Sequence, residues 1–178
     1  MIRRGLDKLR ALPRWSHLPL QIAIAIALFV GVGSYQTRNH VAHQHAPDFT
    51  LVDLAGSRVS LSAYRHKKVL LHFWATWCGV CRAELPSLRS LQRSLGPDEV
   101  LLAIVDDSDD VEAVRSFVRE HELTYTVLLG TDETRRAYRV RSFPTNYYVN
   151  GDGSVRTSTV GLSTRLGMAL HLLMTSKD

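Results

Sequence analysis

The chain has 178 residues, 45% of them hydrophobic, which is enough for one packed domain and an additional segment. Five arginines and lysines and a single aspartate lie within residues 1–17, so this tail carries +4 (5 − 1) of the net charge of +5. The charge therefore describes a basic tail rather than a basic face for nucleic acid, and we expect no nucleic-acid partner.

An uncharged apolar run occupies residues 18–35, directly after this tail. As a helix it would be about 27 Å long, close to the thickness of the hydrocarbon core of a bilayer. Because basic residues precede the run, the positive-inside rule predicts a single-pass anchor in a bacterial inner membrane, with residues 1–17 in the cytoplasm and the C-terminal domain in the periplasm. A cleaved signal peptide is the alternative, since Gly31 and Gly33 offer a small-residue site, but the run is long for a signal peptide.

Residues 36–45 are polar and lack periodicity, so we interpret them as a linker to a domain at 46–178. Three histidines lie in this linker, His40, His43 and His45. Such a cluster could bind copper or zinc loosely, although a solvated spacer is the simpler interpretation.

Strands and helices alternate along the domain. Strands are predicted as a hairpin at 46–54 and 59–61, then at 69–74, 100–105, 125–129, 145–149 and 155–160. Helices are predicted near 85–95, 111–118, 132–138 and 162–173, the last with a stripe of Leu162, Leu166, Leu170 and Leu173. An acidic loop at 106–110 is predicted only to cap the helix that follows. This order predicts an α/β fold with a mixed sheet.

Cys78 and Cys81 are the only cysteines, and they lie between the predicted strand at 69–74 and a predicted helix. A helix N-terminus presents unpaired N–H groups and a partial positive charge, which favour thiolate over thiol. Zinc would need two more ligands at suitable spacing, and a structural disulfide closing so small a loop would constrain the unfolded chain little. The pattern therefore predicts a redox-active dithiol that exchanges with other proteins and needs no further cofactor or metal.

Several blocks of the domain resemble the thioredoxin superfamily, and more narrowly the membrane-anchored periplasmic TlpA/ResA/CcmG-like thioredoxins. The blocks are Ala-Pro-Asp-Phe-Thr-Leu at 46–51, Phe-Trp-Ala-Thr-Trp-Cys-Gly-Val-Cys-Arg-Ala-Glu-Leu-Pro at 73–86 and Ser-Phe-Pro-Thr at 142–145. Cys-Gly-Val-Cys together with Gly-Leu-Ser-Thr-Arg at 161–165 is similar to the copper-sensitivity suppressor (ScsD-like) group. The resemblance covers about residues 46–178 and implies a thioredoxin fold with an N-terminal β-hairpin extension.

The resemblance also implies roles for individual residues. Cys78 matches the exposed attacking cysteine and Cys81 the resolving cysteine. Pro144 matches a cis-proline that faces the disulfide and shapes a groove for the partner peptide. Glu84 matches an acid found near the cysteines in the reducing branch, and a carboxylate of the first helical turn without a catalytic role is the equal alternative.

His72 departs from the family pattern. Thioredoxins proper carry a buried aspartate six residues before the first cysteine, where it moves the proton of the second thiol. Imidazole could do that work, and a strand histidine with no role is the alternative. Trp77, Phe143 and Thr145, which flank the cysteines and Pro144, are the predicted substrate-binding residues.

Together these observations predict a membrane-anchored periplasmic thiol–disulfide oxidoreductase that reduces or exchanges disulfides of partner proteins. Its expected partners are periplasmic protein thiols and disulfides, a membrane electron donor of thiol-reductase type, and the membrane itself. A thiol peroxidase is one alternative, but peroxiredoxins resemble Pro-x-x-x-Thr-x-x-Cys, whereas here Thr76 is two residues before Cys78 with no upstream proline. A copper-binding module that uses the linker histidines together with the two thiols is another.

Overall fold

A computed structural model describes residues 44–107 and 109–178, together with Pro19, residues 21–24 and residue 27. The chain forms two units, Met1–Arg38 and Asn39–Asp178. The few described residues of the first unit are helical and exposed. Within the described parts of the chain, no helix has the length and apolar character needed to span a bilayer. The predicted tail, most of the predicted anchor and the linker before residue 44 lie outside the described residues.

The described part of the second unit alternates strands and helices, as predicted. Its strands are β1 (Thr50–Asp53), β2 (Arg58–Ser60), β3 (Lys68–Trp74), β4 (Glu99–Val105), β5 (Thr126–Leu129), β6 (Thr145–Val149) and β7 (Val155–Val160). Its α-helices are α1 (Gly79–Gln92), α2 (Val111–Glu120), α3 (Asp132–Ala137) and α4 (Arg165–Met174), and a 3-10 helix spans Leu61–Tyr64.

The strands form one mixed sheet in the order β2-β1-β5-β4-β3-β6-β7. β3 is parallel to β4, with Leu71 opposite Leu102, and antiparallel to β6, with Leu71 opposite Tyr147. A strand paired on both sides and covered on both faces needs a continuous apolar sequence, which explains the run at 69–74. The predicted α/β class, mixed sheet and β1–β2 hairpin are confirmed.

Each face of the sheet carries its own core. Successive residues of a strand point to opposite faces, so Leu70 and Trp74 pack with α1, α2 and α4, while Leu71 and Phe73 pack on the other side. The second core is rich in tyrosine, and Tyr138 lies 5.1 Å from the Phe73 ring. The two cysteines belong to the first core, so the chemistry lies on the α1 face.

The leucine stripe of the last helix faces away from the core. Its members are between 46% and 70% exposed, namely Leu162, Leu166, Leu170 and Leu173. An apolar stripe is usually the face that a helix buries, but here Met168 and Leu172 on the opposite side are buried. The chain is already held before the helix begins, because Gly161 N–H donates to the Pro144 carbonyl at 2.8 Å.

The β6–β7 turn holds both ends of the domain. Ala46 N–H donates to the Gly153 carbonyl at 2.8 Å, and Gly151 N–H donates to the Ser176 carbonyl at 2.9 Å. The chain that enters the domain and the chain that leaves α4 therefore meet at one turn.

A side chain at Gly151 should disturb this junction, because its Cβ would overlap the Lys177 carbonyl oxygen. We expect Gly151→Ala to lower the free energy of unfolding by about 1–3 kcal/mol, since the segment after α4 must shift. Gly96→Ala is the matched control, because its Cβ would meet only the Glu99 carboxylate, at 3.9 Å. Chemical denaturation of the full chain in mild detergent measures both variants. Equal losses would contradict the close packing of the C-terminal segment on the turn.

Candidate active site

The cysteines lie where β3 gives way to α1. β3 ends at Trp74, and Cys78 is the residue that immediately precedes α1. Cys78 N–H donates to the Ala75 carbonyl at 3.2 Å, and Cys78 Sγ accepts from Cys81 N–H at 3.1 Å. The two residues form a disulfide with their Cα atoms 5.2 Å apart. The sulfur of Cys78 therefore receives one of the unpaired N–H groups of the helix N-terminus.

Cys78 is more covered than the expectation of an exposed attacking cysteine suggested. Its exposed fraction is 6%, against 1% for Cys81. The reason is that both cysteines pack into the core beneath α1, where Phe143 is also in contact. The difference between the two nevertheless has the direction expected of an attacking and a resolving cysteine.

An apolar surface lies beside the disulfide. Trp77 is 66% exposed and packs edge-on against Phe143, with ring centroids 5.8 Å apart. Val80, between the two cysteines, is 47% exposed. The Phe143–Pro144 bond is cis, as the resemblance implies. Exposed aromatic side chains next to a reactive sulfur can receive apolar groups of a partner.

Thr145 does not contribute its side chain to this surface. It begins β6, which is enclosed between β3 and β7, and it is fully buried. Its hydroxyl donates to the Ser142 carbonyl at 2.7 Å. Its position inside the sheet keeps the Thr145 side chain from the surface, and a role for this residue in substrate binding stays a prediction.

The acidic loop after β4 does more than cap α2. Asp110 caps that helix by accepting from Ala113 N–H at 2.9 Å, as predicted. Its neighbour Asp107 accepts from Thr76 N–H at 3.2 Å and also from the Thr76 hydroxyl. The carboxylate thus fixes the segment that leads into Cys78. The Thr76 hydroxyl is thereby directed to a carboxylate.

A buried polar cluster lies on the α1 face of the sheet, formed by His72, Glu84, Asn146 and Ser163. His72 Nδ1 lies 2.8 Å from Asn146 Oδ1, and Asn146 Nδ2 lies 3.4 Å from Glu84 Oε1. Ser163 N–H donates to the same Glu84 oxygen at 3.0 Å. Because the Asn146 amide nitrogen donates to Glu84, its oxygen accepts from His72, which assigns the imidazole proton to Nδ1.

Two polar atoms of this cluster lack a hydrogen-bond partner among the described residues, His72 Nε2 and Glu84 Oε2. Both side chains are at most 1% exposed. Buried polar atoms are normally hydrogen-bonded, so unsatisfied ones are candidates for a chemical role. The network leaves Nε2 with a free lone pair and leaves one carboxyl oxygen available.

Burial drives both titratable groups of the cluster toward their neutral forms. It lowers the pKa of His72 from 6.5 to about 4, although the hydrogen bond to Asn146 opposes this. It raises the pKa of Glu84 from 4.5 to about 7, against the hydrogen bonds from Ser163 and Asn146. His72 Nδ1 and Glu84 Oε2 are 3.9 Å apart. They nevertheless form no ion pair between these two pKa values, because each is uncharged there.

The cluster lies on the same face of the sheet as Cys81, and one of its members is on the same helix. Glu84 follows Cys81 by three residues on α1, which places the two side chains on one face of the helix. His72 lies on the same face of β3 as Trp74, which packs in the core that contains Cys81. Asn146, which joins the two predicted residues, was not among the predicted site residues. A polar side chain inside the buried strand Thr-Asn-Tyr-Tyr-Val was the signal for it.

Within the described parts of the chain, no group of three or more His, Cys, Asp or Glu side chains is placed to bind a metal ion. The backbone of His45, the last linker residue, forms an isolated antiparallel β-bridge with Ser154, the residue immediately before β7. His40 and His43 lie outside the described residues.

The fold and the dithiol at a helix N-terminus define a protein of the thioredoxin-like redox class. The chain belongs to the AhpC/TSA family, whose model matches residues 42–158. It is 36% identical over 131 residues to the thioredoxin-like protein YneN of Bacillus subtilis, covering 72% of this chain and 77% of that protein. It is 29% identical over 164 residues to the thiol-disulfide oxidoreductase ResA of Geobacillus kaustophilus, covering 88% and 94%.

A solved structure has the same fold. The thiol:disulfide interchange protein of Chlorobium tepidum, described as a thioredoxin family protein, superposes with a TM-score of 0.68 at 23% identity, covering 74% of this chain and 95% of that one. The predicted resemblance to ResA-like thioredoxins is confirmed.

The protonation of Glu84 should add a pH-dependent contribution to stability, which a comparison with a variant lacking this carboxyl isolates. The folded state keeps this carboxyl protonated up to about pH 7, so its stabilising contribution is complete below pH 4.5 and is lost as pH rises through about 7. Glu84→Gln has no such proton to lose. We expect the stability of the variant relative to wild type to rise by up to roughly 3 kcal/mol between these pH values and then level off.

Denaturation of both proteins in a pH series measures this difference. Glu120→Gln, which alters an exposed carboxylate on α2, is the control and should show no such trend. A constant difference between Glu84→Gln and wild type would mean that Glu84 is already ionised in the folded protein.

Proposed function

We propose that the protein is a thiol–disulfide oxidoreductase that reduces disulfides of partner proteins with its Cys78–Cys81 dithiol. The observation that carries this proposal is the Cys78–Cys81 disulfide at the N-terminus of α1 in a thioredoxin-type fold. The relative named thiol-disulfide oxidoreductase ResA supports the same activity, since it matches most of this chain.

The reaction begins with the reduced dithiol. The Cys78 thiolate attacks one sulfur of the partner disulfide, a mixed disulfide forms, and the other partner sulfur leaves as a thiolate and takes up a proton. Cys81 then loses its proton and attacks the Cys78 sulfur, which releases the second partner sulfur. Two electrons have passed to the partner, and the Cys78–Cys81 disulfide remains.

The second step needs an acceptor for the Cys81 proton. A general base is most effective when its pKa lies near the working pH. The pKa of Glu84 is about 7, whereas that of His72 is about 4, so His72 is the weaker base at neutral pH. We assign Glu84 as the proton acceptor. His72 and Asn146 are positioning residues that hold its carboxyl in place.

Partner recognition is assigned to the apolar surface beside the disulfide. Trp77 and Phe143 are in contact, and Trp77 is largely exposed. An extended partner segment that places its disulfide over Cys78 would lay neighbouring apolar side chains on these rings. Pro144, which follows Phe143 in the chain, is proposed to shape the groove in which this partner segment lies.

The domain is proposed to work outside the cytosol, in a bacterial periplasm or an equivalent compartment. The uncharged run at 18–35 after a basic tail supports a retained single-pass anchor, with 36–45 as the linker. The substrates are then disulfides of exported proteins. A membrane electron donor of thiol-reductase type returns two electrons to the Cys78–Cys81 disulfide after each cycle.

The roles of the two cysteines can be separated by trapping. Cys81→Ser should accumulate a mixed disulfide with partner proteins in cells, because the partner can no longer be released. Cys78→Ser should accumulate none, and the double variant is the control. Acid-quenched cells analysed on non-reducing gels and by mass spectrometry give the measurement. Equal trapping by both single variants would overturn the assignment and the proposed reaction.

The role of Glu84 can be read from the release step. In wild type, the rate at which Cys81 resolves a preformed mixed disulfide should rise with pH and level off above about 7. Glu84→Gln should slow this step about 100-fold near neutral pH and remove the inflection. Rapid-quench kinetics measures the rate, with Glu120→Gln as the control. A pH profile unchanged in Glu84→Gln would remove the carboxyl from the proton path.

A further inference from the structure

The outer side of α4 is an exposed apolar face that the proposed reaction does not use. We call it the leucine face, and its members are Leu162 (61% exposed), Leu166 (68%), Leu170 (46%), Leu173 (70%) and Met174 (60%). Contiguous apolar patches on a soluble surface mark sites of interaction. The opposite side of the helix packs into the core through Met168 and Leu172, so the leucine face is held rigidly outward.

The charges around this face favour a lipid surface. None of the ten residues of α4 is acidic. Arg165 begins the helix and is its only arginine or lysine, whereas the Lys177 ammonium beyond the helix is paired with the Asp98 carboxylate and adds no net charge there. Helices that lie at the boundary between headgroups and acyl chains combine such an apolar side with basic residues.

The place where the chain enters the domain also favours a lipid surface as the partner of the leucine face. Val155 N–H donates to the Gln44 carbonyl at 2.8 Å, beside the β6–β7 turn that also binds the segment after α4. The eight residues 36–43 separate the proposed anchor from Gln44. Fully extended, they reach at most about 29 Å. If residues 18–35 anchor the chain as proposed, the entry point, which is next to the C-terminal end of the leucine face, lies no farther than this from the end of the anchor.

We propose that the leucine face rests on the phospholipid bilayer, with its apolar side chains at the acyl boundary and Arg165 among the phosphates. The proposal rests on the anchored oxidoreductase proposed above. Leu162 extends the face toward the active site, because its neighbours Gly161 and Ser163 bind the Pro144 carbonyl and the Glu84 carboxyl. A domain lying on α4 would hold its dithiol at the height of the membrane surface, where a membrane electron donor presents its own thiols.

A photo-crosslinking probe tests this directly. The full chain with Leu170→p-benzoylphenylalanine is reconstituted into vesicles of phosphatidylethanolamine and phosphatidylglycerol, irradiated, and analysed by intact-protein mass spectrometry. The same probe at Glu120, an exposed position on α2, is the control. We expect phospholipid adducts at position 170 and not at 120. Adducts of twice the chain mass of 20.0 kDa, which would indicate a second copy on the face, or no adduct at 170, would overturn the proposal.

Two further measurements distinguish a failure of this proposal from a loss of the membrane anchor or of the folded active site. An alkaline carbonate wash of the same vesicles reports the anchor: protein that stays in the membrane without adducts at 170 contradicts the leucine face alone. With the probe moved to Leu173, Leu166→Gln and Leu170→Gln together should reduce lipid adducts several-fold. Reduction of a small soluble disulfide should be unchanged in that variant, because neither leucine belongs to the active site. An undiminished adduct yield would contradict the proposal.

Discussion

The placement of β3 inside the sheet is the constraint on which the rest of the site depends. β3 bonds to β4 on one side and to β6 on the other, and because a core covers each face of the sheet, residues 69–74 are buried on both faces. The strand can leave the sheet only at its end, after Trp74, and there the chain turns into α1 with Cys78 at the helix entrance. Asp107, from the loop after the neighbouring β4, then fixes this turn through Thr76. The dithiol is thus positioned by two adjacent parallel strands: β3 leads into Cys78, and the loop after β4 supplies Asp107.

Burying polar groups next to a reactive thiol is unfavourable unless they are paired, and the cluster meets that condition only in part. Asn146 and the Ser163 N–H satisfy one oxygen of Glu84, and Asn146 satisfies one nitrogen of His72. The remaining oxygen and nitrogen have no partner among the described residues. Full satisfaction would make the cluster purely structural. Partial satisfaction leaves one carboxyl oxygen and one ring nitrogen without a partner, which the proposed proton transfer from Cys81 would use.

Local patterns in the sequence were sufficient for the strands, the dithiol and the family. They were sufficient because apolar runs, turn residues and the Cys-x-x-Cys spacing all act over short distances. His72 and Glu84 were each predicted, but their connection through Asn146 was not, since Asn146 is 74 and 62 residues away from them. No local signal encodes such a contact.

The last helix shows a second limit. Leu166, Leu170 and Leu173, with Leu162 before the helix, form a clear stripe. Periodicity, however, only says that an apolar side exists and not which side meets the sheet. Met168 and Leu172 form a competing apolar pair, and this pair is buried. The side that is buried is the one that meets α1 and β3, which are distant in sequence from α4.

The opposite pKa shifts of His72 and Glu84 have a consequence for acid tolerance. His72 has a folded pKa of about 4 against 6.5, so its contribution to stability is present above 6.5 and is lost as pH falls toward 4. Glu84 contributes in the opposite sense between 4.5 and about 7. Over the interval they share, the proton that unfolding adds to the imidazole is balanced by the proton it removes from the carboxyl. The pair therefore lets the core hold two ionisable groups while their joint contribution to folding stability stays nearly level between about pH 4.5 and 6.5.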